Sequence, residues 1–174
     1  PDWTMGISNT LRYRNLSLSF LIDVRYGGVM YSGTVSDLRV NGMAEETIGK
    51  NRTDIVDKGV KQDGTENTTA ITPYQFWSNN YSSKVSEANV FDATFVKLRE
   101  MVLSYQMPQR WFKNCFIGSL ALGVEGRNLW LMKSNVPHID PETNIFGPSA
   151  VGSGVEYSAI PTTRSWGFNI KLTF

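Results

Sequence analysis

The final segment, Thr162 to Phe174, alternates. Trp166, Phe168, Ile170, Leu172 and Phe174 are apolar, while Ser165, Gly167, Asn169, Lys171 and Thr173 between them are small or polar. Successive side chains of a strand point to opposite faces, so this period of two predicts a strand with one wholly apolar face. Three more segments repeat it. From Trp3 the odd positions Met5, Ile7, Leu11 and Tyr13 are apolar, apart from Asn9, against Thr4, Gly6, Ser8, Thr10 and Arg12. From Leu16 the apolar set is even, Leu18, Phe20, Ile22, Val24 and Tyr26, against Ser17, Ser19, Leu21, Asp23 and Arg25. From Phe116 the even set Gly118, Leu120, Leu122 and Val124 opposes Ser119, Ala121, Gly123, Glu125 and Arg127. A fifth segment, Phe91 to Met107, is less regular: Met101, Leu103 and Tyr105 share a face, with Glu100, Val102, Ser104 and Gln106 opposite.

The switch of apolar parity from odd at Tyr13 to even at Leu16 leaves Arg14-Asn15 as a two-residue hairpin loop, whose flanking residues lie opposite each other on one face. A helix would not produce it. The connections also alternate in length. Arg14-Asn15 and Pro108 to Lys113 are short, whereas Tyr31 to Val90 and Lys133 to Ile160 are long and polar. Most connections in a compact domain are about 4–6 residues. Short turns at one end, long loops at the other and spans of at least about nine residues form the pattern of an outer-membrane β-barrel. Aromatics fall near the strand ends, at Trp3, Tyr13, Tyr26, Tyr105, Trp111, Trp130, Trp166 and Phe174, as interfacial girdles do. A soluble β-sandwich also alternates, but its strands are about 5–6 residues, and it seldom sets Arg12, Arg25, Glu125 and Arg127 beside small residues on one face. A filled or watery lumen accepts them. The expected fold is therefore all-β: about five antiparallel membrane-spanning strands of a larger barrel, with Leu122 toward lipid and Ala121 toward the lumen.

Composition narrows the function classes. The chain has 174 residues and a net charge of +1, so no strong field would draw nucleic acid. Charged residues are 19%, below the roughly 25% of soluble domains, and glycine (15 residues) and aromatics (12%) are frequent. No apolar run is long enough for a membrane-spanning helix. The chain begins Pro1-Asp2 and shows no signal peptide, which reads as a fragment with its targeting sequence upstream. The single cysteine, Cys115, excludes an internal disulfide and a Cys-rich zinc site, and reads as an apolar filler beside a turn.

Candidate chemistry is sparse. His138, Asp140 and Glu142 are spaced to share a face of an extended segment, but Pro137 and Pro141 bracket them and favour a structural turn over a metal site. Asp63-Gly64 lacks the ligand spacing of an EF-hand and reads as a turn. Asn51-Arg52-Thr53, Asn67-Thr68-Thr69 and Asn80-Tyr81-Ser82 fit the glycosylation pattern, which carries no meaning in a bacterial outer membrane. No catalytic triad or phosphate loop is visible, so no cofactor and no enzyme activity are expected. Tyr74, Phe76, Trp77 and Tyr81 in the first long loop could stack on a sugar, meet a partner protein, or pack the loop on itself.

The run Phe95-Val96-Lys97-Leu98-Arg99-Glu100-Met101-Val102-Leu103-Ser104-Tyr105-Gln106-Met107-Pro108 resembles a late strand of SusC/RagA-type TonB-dependent transporters. So do Gly126-Arg127-Asn128-Leu129-Trp130, Asp140-Pro141-Glu142-Thr143, the terminal Arg164 to Phe174, and the opening Pro1-Asp2-Trp3-Thr4-Met5-Gly6 with Tyr13 and Asn15. The resemblance implies a 22-stranded barrel filled by an N-terminal plug, to which this chain supplies the C-terminal strands 18 to 22. It also implies a SusD-like lipoprotein lid, energy delivered through TonB, and cargo that is oligosaccharide or peptide. It places the protein in the Gram-negative outer membrane, embedded in lipid, with the long loops outside the cell. The terminal strand, with Trp166, Phe168, Ile170, Leu172 and Phe174, resembles the signal read by the barrel-assembly machinery; the plainer role of those side chains is lipid contact. The second functional reading is a non-transporting binding or adhesion module that displays its loops.

Overall fold

A computed structural model describes residues 1–49, 53–113, 116–147 and 154–174. Cys115 and the Asn51-Arg52 part of the first glycosylation pattern lie outside the described residues. In chain order the strands are β1 (Trp3–Tyr13), β2 (Leu16–Tyr26), β3 (Val29–Ser32), β4 (Ile55–Val56), β5 (Ala70–Ile71), β6 (Val90–Asp92), β7 (Phe95–Gln106), β8 (Ser119–Ser134), β9 (Val155–Glu156) and β10 (Ser165–Thr173). Two α-helices, α1 (Gly33–Val40) and α2 (Pro73–Tyr81), lie between β3 and β6 in sequence. The chain divides into two units, one made of Pro1–Gly28, Ala93–Asn135 and Thr162–Phe174, the other of Val29–Asp92 and Val136–Pro161.

The first unit is a five-stranded sheet in the order β1-β2-β7-β8-β10, with every neighbouring pair antiparallel. β1 and β2 have the boundaries expected from their alternation. Tyr13 pairs with Leu16, so Arg14-Asn15 is the two-residue loop that the parity switch requires. Arg14 takes a left-handed φ of 51°, and Asn15 secures the turn: its Nδ2 donates to the Gln106 carbonyl at 2.7 Å, and its own carbonyl accepts from the Gln106 amide at 2.8 Å. β8 begins at Ser119 rather than Phe116 and runs past Arg127 to Ser134. The expected Phe91–Met107 strand is divided, because Val90–Asp92 pairs with β3 and the sheet strand starts at Phe95.

The irregular alternation of β7 has a structural cause. Leu21 pairs with Glu100 and Ile22 with Leu98, so Arg99 is an extra residue in the ladder. The pairing with β8 shifts at the same place, from Glu100–Arg127 to Leu98–Trp130, where Asn128 has a φ of 51°. One inserted residue exchanges the faces of a strand. Below the bulge Met101, Leu103 and Tyr105 join the apolar face; above it Leu98 and Val96 replace them, opposite Ile22 and Val24. The Arg99 side chain pairs with Asp23 of β2 and donates to Asn128 Oδ1 of β8 at 3.2 Å, so it spans three strands.

The second unit corrects the expectation of plain polar loops. Thr72-Pro73-Tyr74-Gln75 starts α2 with a capping box: the Gln75 amide donates to Thr72 Oγ1, the Thr72 amide donates to Gln75 Oε1, and proline occupies the first turn. Ser32 caps α1 by accepting from the Val35 amide at 3.1 Å. β3 lies between antiparallel β6 and parallel β9, which joins the two long inserts, and β4 pairs with β5. Met30, Val35, Ala44, Trp77 and Val136 form the unit's buried apolar core.

Candidate functional site

Two surfaces carry the chain's functional potential, the faces of the sheet and the interior of the second unit. On the sheet, register joins side chains into rows across all five strands. Leu11, Leu18, Leu103, Val124 and Phe168 form one row, and Tyr13, Leu16, Tyr105, Leu122 and Ile170 another on the same face. The row between them, on the opposite face, is Arg12, Ser17, Ser104, Gly123 and Asn169. Gly123 leaves room there for the Asn169 side chain, whose Oδ1 would lie 2.4 Å from a Cβ. Leu122 therefore shares the apolar face with Tyr105 and Ile170, while Ala121 sits with Gln106 and Lys171 on the polar one.

Further from the Arg14-Asn15 turn the polar face becomes charged. Asp23 pairs with Arg99, and Lys97, buried to 3% exposure, donates from Nζ to Thr162 Oγ1 at 3.1 Å. Arg127 lies 3.9 Å from Glu125. Paired charges suit a surface screened from lipid, because burying an ion alone is costly.

On β10, Trp166, Phe168, Ile170 and Leu172 project from the apolar face and are exposed, Phe168 to 84%. Phe174 follows the strand and stacks on Phe116, with ring centroids 5.8 Å apart. Trp3 stacks on its register partner Tyr26 at 5.3 Å, at the end of the β1–β2 pair opposite the turn.

In the second unit, Phe76, Trp77 and Tyr81 come together. Trp77 lies 5.3 Å from Phe76 and 4.9 Å from Tyr81, and is 4% exposed. Tyr74 is on the outer part of α2, 63% exposed. Arg39, which the sequence did not single out, organises this interior. Its guanidinium stacks over Tyr81 and Phe91, at 5.1 and 5.3 Å, and donates to the Ala88 carbonyl at 2.9 Å and to Glu46 at 2.5 Å. The other Glu46 oxygen meets His138 Nε2 at 2.7 Å. Burial would raise the Glu46 pKa, but the Arg39 hydrogen bond, its own backbone amide and His138 together bring it down from 4.5 to about 2. Glu156 is the second missed residue. It is 1% exposed and accepts from Ser32 Oγ and Thr34 Oγ1, both at 2.6 Å. Neither residue stood out in the sequence, since Tyr81, Ala88 and Phe91 around Arg39, and Ser32 and Thr34 on Glu156, lie far away along the chain.

The His138-Asp140-Glu142 side chains are otherwise engaged. His138 faces Glu46, and Asp140 Oδ1 accepts the Glu142 amide at 3.1 Å in a turn. Among the described residues no group of three or more His, Cys, Asp or Glu is placed to hold a metal. Asp63 accepts from both the amide and the hydroxyl of Thr65, at 3.0 and 2.6 Å, around Gly64 with a φ of 80°. These bonds depress the Asp63 pKa, the hydroxyl contributing most. Asn67 and Asn80 hold the loop together, through the Asp57 carbonyl at 2.9 Å and the Asp57 carboxylate at 2.8 Å.

Comparison with known proteins finds relatives for this geometry. No family model matches the chain. Two TonB-dependent receptors of Formosa agariphila match it along its entire length, one 25% identical over 178 residues and the other 26% identical over 177. The chain spans about a sixth of the length of these relatives, 16% and 17%. Among solved structures, the RagAB peptide importer in its open-open state covers 98% of the chain with a TM-score of 0.65 at 20% identity. Its closed-closed state covers 98% with a TM-score of 0.59 at 18% identity. The chain spans 17% of each matched importer chain. The ordered motifs, the five-stranded antiparallel sheet and the end-to-end matches converge: the chain is similar along its whole length to TonB-dependent receptors and shares its fold with the matched part of the RagAB importer.

Proposed function

We propose that this chain is the C-terminal part of the barrel of an outer-membrane importer that takes up oligosaccharides or peptides, powered through TonB. The observation that carries this reading is the sheet with one predominantly apolar face and one face of small, polar and paired charged residues. The apolar face meets membrane lipid in a Gram-negative outer membrane, and the other lines a lumen occupied by a plug from the rest of the same protein. β1 and β10 are the edges of this sheet. Unpaired strand edges are not tolerated in lipid, so both continue into strands outside this chain. A SusD-like lipoprotein covers the mouth formed by the long loops, and Tyr74 is the loop aromatic best exposed to meet it or the cargo. The similarity to a peptide importer keeps peptide beside oligosaccharide as cargo.

Within this reading the apolar side chains of β10, from Trp166 to Phe174, serve as the assembly signal. Removing Phe174 from the full-length protein should lower the amount of folded barrel, measured by heat-modifiable migration of outer-membrane extracts. Unchanged folded barrel would remove that role.

A strain carrying the full-length gene, and one lacking it, should be grown on oligosaccharides or peptides as sole carbon or nitrogen source. Growth that is lost when the gene is absent, and a lipoprotein that co-purifies with the gene's product, would support import. Normal growth on every source, with surface adhesion lost, would favour the second reading of a displayed binding module.

A further inference from the structure

A cleft between the two short turns opens onto the apolar face of the sheet. It is lined by Leu16, Tyr105 and Pro108 together with Arg14 and Arg110. Leu16 and Tyr105 belong to an apolar row, and from them a groove continues along the same face past Leu122 and Val124 toward Phe168 and Ile170. At the next apolar row, where Met101, Gly126 and Trp166 align, Leu129 and Trp166 crowd over Gly126, leaving 2.6 and 3.0 Å for any Cβ there. From the Tyr105 row to the Met101 row is about 14 Å of strand.

The cleft and the groove differ in chemistry in a way that selects one kind of ligand. Arg14 lies over the ring of Tyr13, 5.5 Å from its centroid, and among the described residues neither Arg14 nor Arg110 has a carboxylate partner. Guanidinium groups match phosphate oxygens in geometry and charge. An apolar groove that shares Leu16 and Tyr105 with a cleft lined by two such cations fits an amphiphile with a phosphate head and an alkyl tail.

We propose that this cleft and groove bind one glycerophospholipid of the surrounding leaflet, its phosphate held by Arg14 and Arg110 and an acyl chain laid along Leu122 and Val124. Two cations without a local acid favour an anionic headgroup over a zwitterionic one. The proposal rests on the reading that the apolar face meets lipid, and the test separates the two.

The test uses the full-length protein, purified from outer membranes, delipidated in detergent and titrated with phosphatidylglycerol, phosphatidylethanolamine or inorganic phosphate under native mass spectrometry. One phosphatidylglycerol should be retained preferentially, and Arg14→Gln/Arg110→Gln should weaken it roughly tenfold, the scale of one lost charge-assisted hydrogen bond. Arg12→Gln, on the opposite face, should leave it unchanged. Equal retention by wild type and Arg14→Gln/Arg110→Gln overturns the proposal, and so does competition by inorganic phosphate at the same concentration, which would mean a free-anion site. Leu122→Trp fills the groove and leaves both arginines in place; it should also lose the lipid, and it decides the matter if the double variant fails to fold. A wild-type protein that stays soluble without detergent would overturn the lipid-facing reading itself.

Discussion

Leu122 and Ala121 are neighbours in β8 with opposite surroundings, and they make the sharpest residue-level test of the sheet. Arginine on a lipid face near the membrane midplane costs about 2–4 kcal/mol. Leu122→Arg should therefore reduce folded barrel far more than Ala121→Arg, whose neighbours Gln106 and Lys171 are already polar; equal losses on a heat-modifiability gel would refute the facing. Glu46 gives a pH test. Its folded-state pKa is depressed to about 2 from 4.5, so its contribution to stability is complete above pH 4.5 and disappears as pH falls toward 2. Thermal unfolding followed by tryptophan fluorescence should show Glu46→Gln below wild type at pH 6, with the gap closing by pH 2.5. A constant gap would mean that the carboxylate charge on Glu46 is not what Arg39 and His138 read. Arg39 and Glu156 show the limit of the sequence at this scale. A buried arginine between two rings and a buried carboxylate on two hydroxyls look like surface residues until chain segments far apart are brought together.

At the scale of elements, strands were legible and helices were not. Period two exposed four of the five long strands directly, because each sets apolar side chains on one face and small or polar ones on the other. β7 was blurred by a single residue, Arg99, whose insertion exchanges the faces midway. Deleting Arg99 from the full-length protein should be much more harmful than Arg99→Ala. The deletion leaves Leu98 and Val96 on the polar face or forces the lower half to slip, whereas alanine keeps the register and loses the contacts with Asp23 and Asn128. Folded barrel should be nearly absent for the deletion and measurable for the alanine variant; similar yields would argue that the bulge is not what fixes register. α2 was marked by Thr72-Pro73-Tyr74-Gln75, a start signal hidden by the polar composition around it. α1 had no comparable mark, its cap serine also donating to Glu156.

For the whole molecule, the two-faced antiparallel sheet was readable from alternation, while the second unit was not, since it is assembled from two inserts. Val29–Asp92 and Val136–Pro161 are separated in sequence by β7 and β8. β9 joins β3 in parallel, and the bond from Ser32 to Glu156 closes a span of 124 residues. Closing so long a span carries an entropy cost that nearby contacts do not, and contacts of high sequence separation form slowly. The first insert can place Trp77 and Arg39 among their partners on its own, but the Ser32 hydroxyl has no acceptor in Glu156 until the chain through β9 has been delivered. Time is thus built into this architecture: the second unit is complete only when chain from both sides of the β7–β8 segment is in place, so its closure waits for residues that come late in the sequence.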